Sequence, residues 1–527
     1  MSFNSTWRMA GVATLAAGLV LSTGCAETRL IGSLDDSELQ DPDVLEFAGI
    51  GISREINDLM FANLGEYDEF GMGGFTDLVL QGAAGGAGDR SAIGDTRQRD
   101  RNGSFEQTQE AVWSAYKIVD LAIAVLPEEE VTASPIVARA WLSGGLMERV
   151  MADSFCEAIY QYGPMGGFNL ANLEAFQEAN GNVQEFTPDV IMGKDSMYTR
   201  AAYAFEQAIS TAEAALAAGS EEPTAPDGWY DTEQILTAAY GGLAQARAAL
   251  ASLGVDPEAN WAAAVAAAQE VPTDFEEYFY NNEDLRNNQE WIIMWTDNEA
   301  TLWNDTILGE VWGSAFGRHI EPGDERGEIF RCQDFEVKTG TEDDIFQNSN
   351  IIDLPAANAE CDAPFEPGDI DMEIGTMPRW LNGVRNVRYA DIPAVSGHEA
   401  RLIEAEAALF NNDLPTFTQR INDVRSVRGA SLITQPATVG AMEFPNELDD
   451  GMSLLDREYL LEQDAEMRRM AHLDRWNHPF VTENATLHPY HRDLMAEATA
   501  AGFQRAACWP LPSNECSLNA AIECPDL

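Results

Sequence analysis

An alanine-rich stretch with helical spacing of its apolar residues constrains the fold of this chain more than any other feature. From about Phe105 to Val271 apolar residues recur every three to four positions, and turns containing Gly or Pro break the pattern. Between 199 and 219 they fall on one helical face, with glutamates on the other. We therefore predict helices within Glu110–Leu126, Pro135–Ile159, Thr199–Gly219, Thr232–Leu253 and Pro257–Glu270.

An internal repeat indicates how these helices are arranged. The pattern L-x-x-A-x-A-A-L occurs at 243–250 and again at 402–409. Each copy is followed, after a short polar turn, by apolar residues spaced i, i+4 and i+7: Trp261, Val265 and Ala268, then Phe417, Ile421 and Val424. Because small residues let a second helix pack closely, the pattern is typical of helical hairpins of tetratricopeptide type. The sequence predicts a mostly α fold, with a helical-hairpin scaffold over about 40–272 and 394–527.

A long stretch at about 273–393 separates the two copies of the repeat. It has little helical period and is rich in Gly, Asn and Asp. A stretch of this length is too long to be an ordinary loop of a compact domain. We predict an irregular insertion of loops and short strands on the scaffold, an arrangement common in binding proteins. Its tryptophans are Trp291, Trp295, Trp303, Trp312 and Trp380.

The N-terminus has the features of an export signal. Arg8 precedes an uncharged run from Met9 to Leu21, and small residues lead to Cys25. This arrangement resembles a bacterial lipoprotein signal, so we predict a signal peptide at 1–24 and a single mature domain at 25–527, lipidated on Cys25. Ordinary secretion without a lipid is the alternative. No later segment approaches the roughly 18 uninterrupted apolar residues that a membrane span needs.

Export places the remaining six cysteines in an oxidising compartment, where disulfides are stable. Among the many possible pairings we favour Cys332 with Cys361 and Cys516 with Cys524. The absence of any C-x-x-C pair argues against a zinc or thioredoxin-type site.

The charge balance excludes whole classes of partner. The chain has 88 Asp plus Glu against 31 Lys plus Arg, a net charge of −57. So negative a surface repels phosphate backbones and acidic lipid headgroups. We therefore expect no nucleic-acid partner.

Several C-terminal segments resemble a known family. Residues 397–407, beginning Gly-His-Glu, and 421–428 resemble the signature of RagB/SusD-like outer-membrane lipoproteins. Residues 454–457, 469 and 473–476 resemble a later helix of that family, and 509–512 resembles its closing segment.

The resemblance implies a lipid-anchored protein at the cell surface. Such a protein sits like a lid on a SusC-like, TonB-dependent transporter of the outer membrane. It holds a nutrient between lid and barrel and carries out no bond chemistry itself.

A glycan ligand would need aromatic faces for sugar rings, surrounded by groups that hydrogen-bond hydroxyls. The densest such set lies in the predicted insertion, and Trp303 is our first choice because Asn304 and Asp305 adjoin it. Arg97 would donate to an oligosaccharide or to a peptide carboxylate. Two alternatives stay open: the tryptophans pack the insertion against the helices, or the nutrient is a peptide. The remaining candidates are Trp291, Trp295, Trp312 and Arg318.

The sequence contains parts of catalytic and metal-binding motifs but no complete one. His398 and Glu399 begin an H-E-x-x-H motif, but Leu402 stands where the second metal-binding histidine is needed. We interpret His488 and His491 as loop and helix-end histidines. We predict no metal, cofactor or catalytic residue. A glycoside hydrolase is the enzyme alternative, because its two carboxylates have no linear signature.

Overall fold

The computed structural model describes residues 45–53, 56, 79–80, 102–159, 191–225, 228–280, 302–303, 392–444, 450–463, 468–485 and 489–512. Within these ranges the chain is predominantly helical and its strands are short, which confirms the predicted fold class. No helix of this part of the chain is long and apolar enough to cross a membrane.

Each predicted helical range contains a helix. The two-stranded antiparallel ribbons are β1 (Val79–Leu80) with β5 (Leu302–Trp303), β2 (Glu157–Ile159) with β3 (Ile191–Gly193), and β4 (Glu276–Phe279) with β6 (Ile392–Ser396). The helices after residue 100 are α1 (Asn102–Val125), α2 (Glu128–Val131), α3 (Pro135–Ser154), α4 (Lys194–Ala218), α5 (Thr232–Ser252), α6 (Pro257–Ala268), α7 (Gly397–Phe410), α8 (Leu414–Val427), α9 (Gly451–Glu462), α10 (Arg469–Arg475), α11 (Pro479–Thr482) and α12 (Pro489–Ala500). Residues 45–53 are also helical.

Local sequence explains where the main helices begin and end. A side-chain oxygen just before the helix accepts a backbone N–H of the first turn at α3, α5, α7 and α9, and so satisfies a group that the helix leaves unpaired. Helix α4 ends at Gly219, whose positive φ of 65° favours glycine. The capping residues are Ser134, Asp231, Ser396 and Asp450.

Helix α3 ends five residues before the predicted Ile159 because a distant segment pairs with the chain there. Phe155 is extended, and it forms a parallel bridge with Trp509. A disulfide joins Cys156 to Cys508 across 352 residues of sequence. This pair is not among those favoured from the sequence. The predicted partners Cys332, Cys361, Cys516 and Cys524 lie outside the described residues, so their pairings stay predictions.

The predicted hairpins are present. Helices α5 and α6 pack as one hairpin, α7 and α8 as the next, and α6 contacts α7. The second apolar set behaves as predicted, since Phe417, Ile421 and Val424 are fully buried. In α6 Ala268 is fully buried, whereas Trp261 and Val265 are half-buried and Trp261 packs at the edge of the core. The buried face of α6 consists of Asn260, Ala264, Ala267 and Ala268.

The β4–β6 ribbon brings two distant parts of the chain together. Glu276 pairs with Ser396 and Phe279 with Ile392, so the chain before residue 281 lies beside the chain after residue 391. Buried Glu277 of β4 accepts a 2.5 Å hydrogen bond from Arg139 of α3, which ties the ribbon to the scaffold. The boundaries of the insertion at 273–393 stay a prediction.

Candidate functional site

Four helix ends and the outer face of α6 enclose a groove of about 1210 Å³ in the described part of the chain. We call it the helix-end groove. It lies between the C-terminal ends of α5, α7 and α10, the first turn of α9 and the whole length of α6. Its lining consists of Ala251, Ser252, Pro257, Glu258, Trp261, Ala262, Val265, Ala266, Gln269, Ala407, Phe410, Asn411, Met452, Arg475, Trp476 and Asn477.

Aromatic side chains form one wall of the helix-end groove. Trp261 of α6 lies against Phe410 of α7, with ring centroids 5.5 Å apart and planes inclined at 37°. Phe410 is 47% exposed, an unusual position for a large apolar side chain on so acidic a protein. Trp476 adds a third ring, which is almost fully buried.

A single buried carboxylate holds the α10 side of the groove in place. Glu406 accepts hydrogen bonds from both terminal nitrogens of Arg475, at 2.8 and 2.7 Å, and from the indole N–H of Trp476 at 2.7 Å. The hydroxyl of Tyr459 donates a fourth bond at 3.0 Å. Four donors occupy the acceptor sites of this carboxylate, so Arg475 and Trp476 are fixed in position.

Behind this wall the ring of His472 is stacked in a neutral state. It lies 5.2 Å from Trp476 with planes inclined at 17°, and 4.4 Å from Tyr459. Burial lowers the pKa of His472 well below its ordinary value, and Arg475 and Arg468 lower it further. A neutral imidazole between two rings lets this side of the groove pack without adding charge.

One arginine joins the two halves of the scaffold beneath the groove. Arg468 donates to Asp153 of α3 and to Glu399 of α7, each at 2.8 Å, and its side chain is 8% exposed. Glu399 also accepts a hydrogen bond from Gln245 of α5. Burial alone would lower the pKa of Arg468, but the two carboxylates outweigh it and raise the pKa above the usual value. Arg468, Asp153, Glu399 and Gln245 thus form a buried network that links α3 to α5 and α7, two of the helices that line the groove.

The groove presents flat apolar faces beside neutral hydrogen-bonding groups. Ser252 contributes a hydroxyl, and amides come from Gln269, Asn411 and Asn477. Such a combination can hold a ligand that has both apolar faces and hydroxyl or amide groups. Among the described residues no group of three or more His, Cys, Asp or Glu is placed to hold a metal ion.

Comparison with known proteins identifies the fold. A SusD superfamily protein from Bacteroides vulgatus ATCC 8482 matches 92% of this chain and 98% of its own, at 13% identity and a TM-score of 0.55. A SusD homolog from Bacteroides thetaiotaomicron VPI-5482 matches 93% and 98%, at 15% identity and a TM-score of 0.55. This chain has the SusD-like fold. A SusD-like carbohydrate binding protein from Bacteroides fragilis NCTC 9343 matches 92% and 99%, at 13% identity and a TM-score of 0.53.

Sequence comparison alone does not reach these proteins, since no family model and no curated protein matches the chain. The identities of 12 to 15% among similar SusD-like structures explain the difference. A fold keeps its layers while most of its side chains change.

Of the binding-site candidates named from the sequence, one lies within the described residues. Trp303 lies in β5, paired with Val79, and nothing is described of its side chain. The remaining candidates lie outside the described residues, as does the lipidation candidate Cys25: Arg97, Trp291, Trp295, Asn304, Asp305, Trp312 and Arg318. Their grouping into one site therefore stays a prediction.

The helix-end groove of this SusD-like fold was not predicted. One signal for it does exist in α6, where Trp261, Ala262, Val265 and Ala266 leave the helix apolar on its outer face as well as its inner face. A helix without a polar face usually contacts something on every side. Nothing local in the sequence indicates that Phe410 and Trp476 meet this face.

Proposed function

We propose that this chain is a cell-surface lipoprotein, anchored through Cys25, that binds nutrient molecules and passes them to a SusC-like, TonB-dependent transporter of the outer membrane. The observation that carries the proposal is the SusD-like fold over more than nine-tenths of the chain. The sequence adds an export signal that ends at a cysteine. The Cys156–Cys508 disulfide is consistent with an oxidising compartment.

We propose oligosaccharides as the ligands. Similar structures include a protein described as a SusD-like carbohydrate binding protein. The chain offers aromatic residues in two places, in the predicted insertion around Trp303 and in the helix-end groove. Aromatic faces flanked by neutral polar groups suit the apolar and hydroxyl-bearing sides of a sugar ring.

We propose a binding role without catalysis, as the family resemblance implies. The buried carboxylates Glu399, Glu406 and Glu458 are each paired with an arginine, which leaves them poorly suited to protonate a leaving group. The activity test is direct: purified protein of residues 26–527 is incubated with the oligosaccharides that it binds, and the products are separated by chromatography. Release of shorter sugars would show a glycoside hydrolase instead.

Three measurements test the proposal. Isothermal titration calorimetry of the same protein against oligosaccharides and peptides identifies the ligand class, and we expect binding of sugars. Trp303→Ala tests the insertion site, where we expect weaker binding. Labelling of cells with a palmitate analogue tests the anchor, with Cys25→Ser as the control; an unlabelled wild-type protein would contradict the lipid.

A further inference from the structure

We propose that the helix-end groove is a binding site for an uncharged oligosaccharide and that it discriminates against sugars bearing carboxylate or sulfate groups. The inference rests on the proposed function for one point, that the ligand is a carbohydrate, and it adds where the ligand binds and which carbohydrates are preferred. It concerns a part of the scaffold separate in sequence from the predicted insertion.

An exposed aromatic surface in the helix-end groove supports a sugar site. Phe410 is 47% exposed and Trp261 is half-buried, and their rings are adjacent. A large apolar face left open to water carries a free-energy cost that a bound ligand removes. Two neighbouring rings inclined to each other can cover the apolar faces of consecutive sugar units along a bent chain.

The rim of the helix-end groove carries amide side chains that suit sugar hydroxyls. Asn411, Asn477 and Gln269 are exposed, and each carries an amide that both donates and accepts hydrogen bonds. Sugar hydroxyls also do both, so amides satisfy them in either direction. The rim surrounds about 1210 Å³, slightly more than the usual range of small-molecule sites, so it has room for several sugar units.

The charge at the groove favours uncharged carbohydrates over anionic ones. Among the residues that the structure describes, the charged side chains that line the groove are Glu258 and Arg475. The guanidinium of Arg475 is engaged on both terminal nitrogens by Glu406 and is 7% exposed, so it is not available to a ligand anion. Glu258 is exposed and adds an acidic side chain to the rim.

The helix ends add to this negative potential. Helices α5 and α7, of 21 and 14 residues, direct their C-terminal ends at the groove, and such ends carry partial negative charge. The positive N-terminal end of α6 is offset by Asp256 and Glu258. An anionic sugar would lose its hydration there without gaining a cationic partner, whereas an uncharged sugar loses nothing comparable.

Calorimetry on matched sugars tests the inference. The probes are cellohexaose, maltohexaose and xylohexaose, the C6-carboxylate forms of the first two, and an uncharged alanine pentapeptide. We expect at least one neutral sugar to bind, with its C6-carboxylate form about tenfold weaker or worse. Because the ligand is uncharged, its affinity should change little between 50 mM and 500 mM NaCl.

Variants locate the site. Trp261→Ala and Phe410→Ala should each weaken binding of the neutral sugar about tenfold. Trp113→Ala is the matched control, because Trp113 is 43% exposed on α1 and does not line the groove. Glu258→Lys should strengthen binding of the carboxylate form and change the neutral form little. Circular dichroism of each variant checks that it is folded.

The binding results separate this inference from the proposed function. If Trp303→Ala abolishes sugar binding while Trp261→Ala and Phe410→Ala bind as the wild type does, the proposed function stands and this inference falls. Equal affinity for neutral and carboxylate forms overturns the charge selection. Peptide binding that is lost in Trp261→Ala overturns the choice of carbohydrate, and the absence of binding by every probe contradicts both proposals.

Discussion

Two regions of the scaffold are held together by different physical means. Helices α4 and α5, the alanine-rich region, bury mainly alanines and glycines, and their backbones approach closely. Helices α7, α9 and α10, the charge-rich region, bury arginines and carboxylates on faces that would ordinarily be solvated. In the first region stability depends mainly on shape, although Arg200 of α4 is buried in a pair with Glu148 of α3. In the second it depends mainly on pairing the buried charges.

The charge-rich region shows how strongly such pairs act. Burial alone would raise the pKa of Asp456, but Arg469 at 2.7 Å, together with His478, holds that pKa far below its usual value. Stability from this pair is therefore present above the ordinary aspartate pKa and is lost only in strong acid. We therefore expect substitutions that change side-chain volume to destabilise the alanine-rich region more, and substitutions that remove a charge to destabilise the charge-rich region more.

The largest effect is expected at Arg468, which ties α7 of the charge-rich region to α3. Arg468→Met leaves Asp153 and Glu399 buried without their shared cation, and we expect a loss of about 3–5 kcal/mol in the free energy of unfolding. Urea denaturation followed by circular dichroism measures it. Arg247→Met is the control, because Arg247 and Glu206 are 26% and 45% exposed, and we expect a loss of under about 1 kcal/mol. Equal losses in both variants would contradict the distinction.

The disulfide gives the next largest effect, since it fixes the end of α3 to a segment 352 residues away. The double variant Cys156→Ser with Cys508→Ser should lose roughly 2–5 kcal/mol, because its unfolded chain is less constrained. Thermal unfolding with and without reductant measures this. Reductant should lower the midpoint of the wild type, and any further shift in the double variant would reveal another disulfide. A midpoint in the wild type that ignores reductant would refute the role of this bond.

Adding a methyl group at a closely packed glycine tests the alanine-rich region. A Cβ on Gly242 of α5 would lie 2.4 Å from the ring of Phe205, and Gly145 faces the same ring. Gly242→Ala should therefore cost about 1–3 kcal/mol, and the smaller side chain of Phe205→Leu in the same chain should recover part of the loss. Gly51→Ala is the control, because no described group outside its own helix lies within 4 Å of the added Cβ. We expect no loss of stability there, and a gain of up to about 1 kcal/mol because residues 45–53 are helical. Additive losses in the double variant would argue against the steric reason.

These two regions also explain how far sequence reasoning reached. The helices and hairpins were predictable because their apolar spacing is local, as in the repeat at 402–409. The same repeat hid the burial of Glu406, since its partner Arg475 lies 69 residues further along the chain. The helix-end groove was not predictable for the same reason: Trp261, Phe410 and Trp476 come from three separate helices. Tertiary pairing, not local propensity, decides which charged residues are buried.

The smallest effect concerns a carboxylate on α1, outside both regions. Asp120 of α1 has a carboxylate oxygen that is buried without a hydrogen-bond partner. Burial raises its pKa from 3.8 to about 6, against a smaller opposing effect of Lys117. The folded protein therefore holds this proton more tightly than the unfolded chain does. The resulting stability is present below pH 4 and is lost as the pH rises from about 4 to 6.

Asp120→Asn removes this titration, so the variant should be more stable than the wild type at pH 8, by about 1 kcal/mol once solvent screening is allowed for. At pH 5 the gain should be smaller, because the native carboxyl is then largely protonated. Urea midpoints at the two pH values measure it. Glu129→Gln, which removes an exposed acid from α2, controls for the general repulsion of a chain with a net charge of −57. If both variants gain equally at pH 8, the effect is surface repulsion and not the buried oxygen of Asp120.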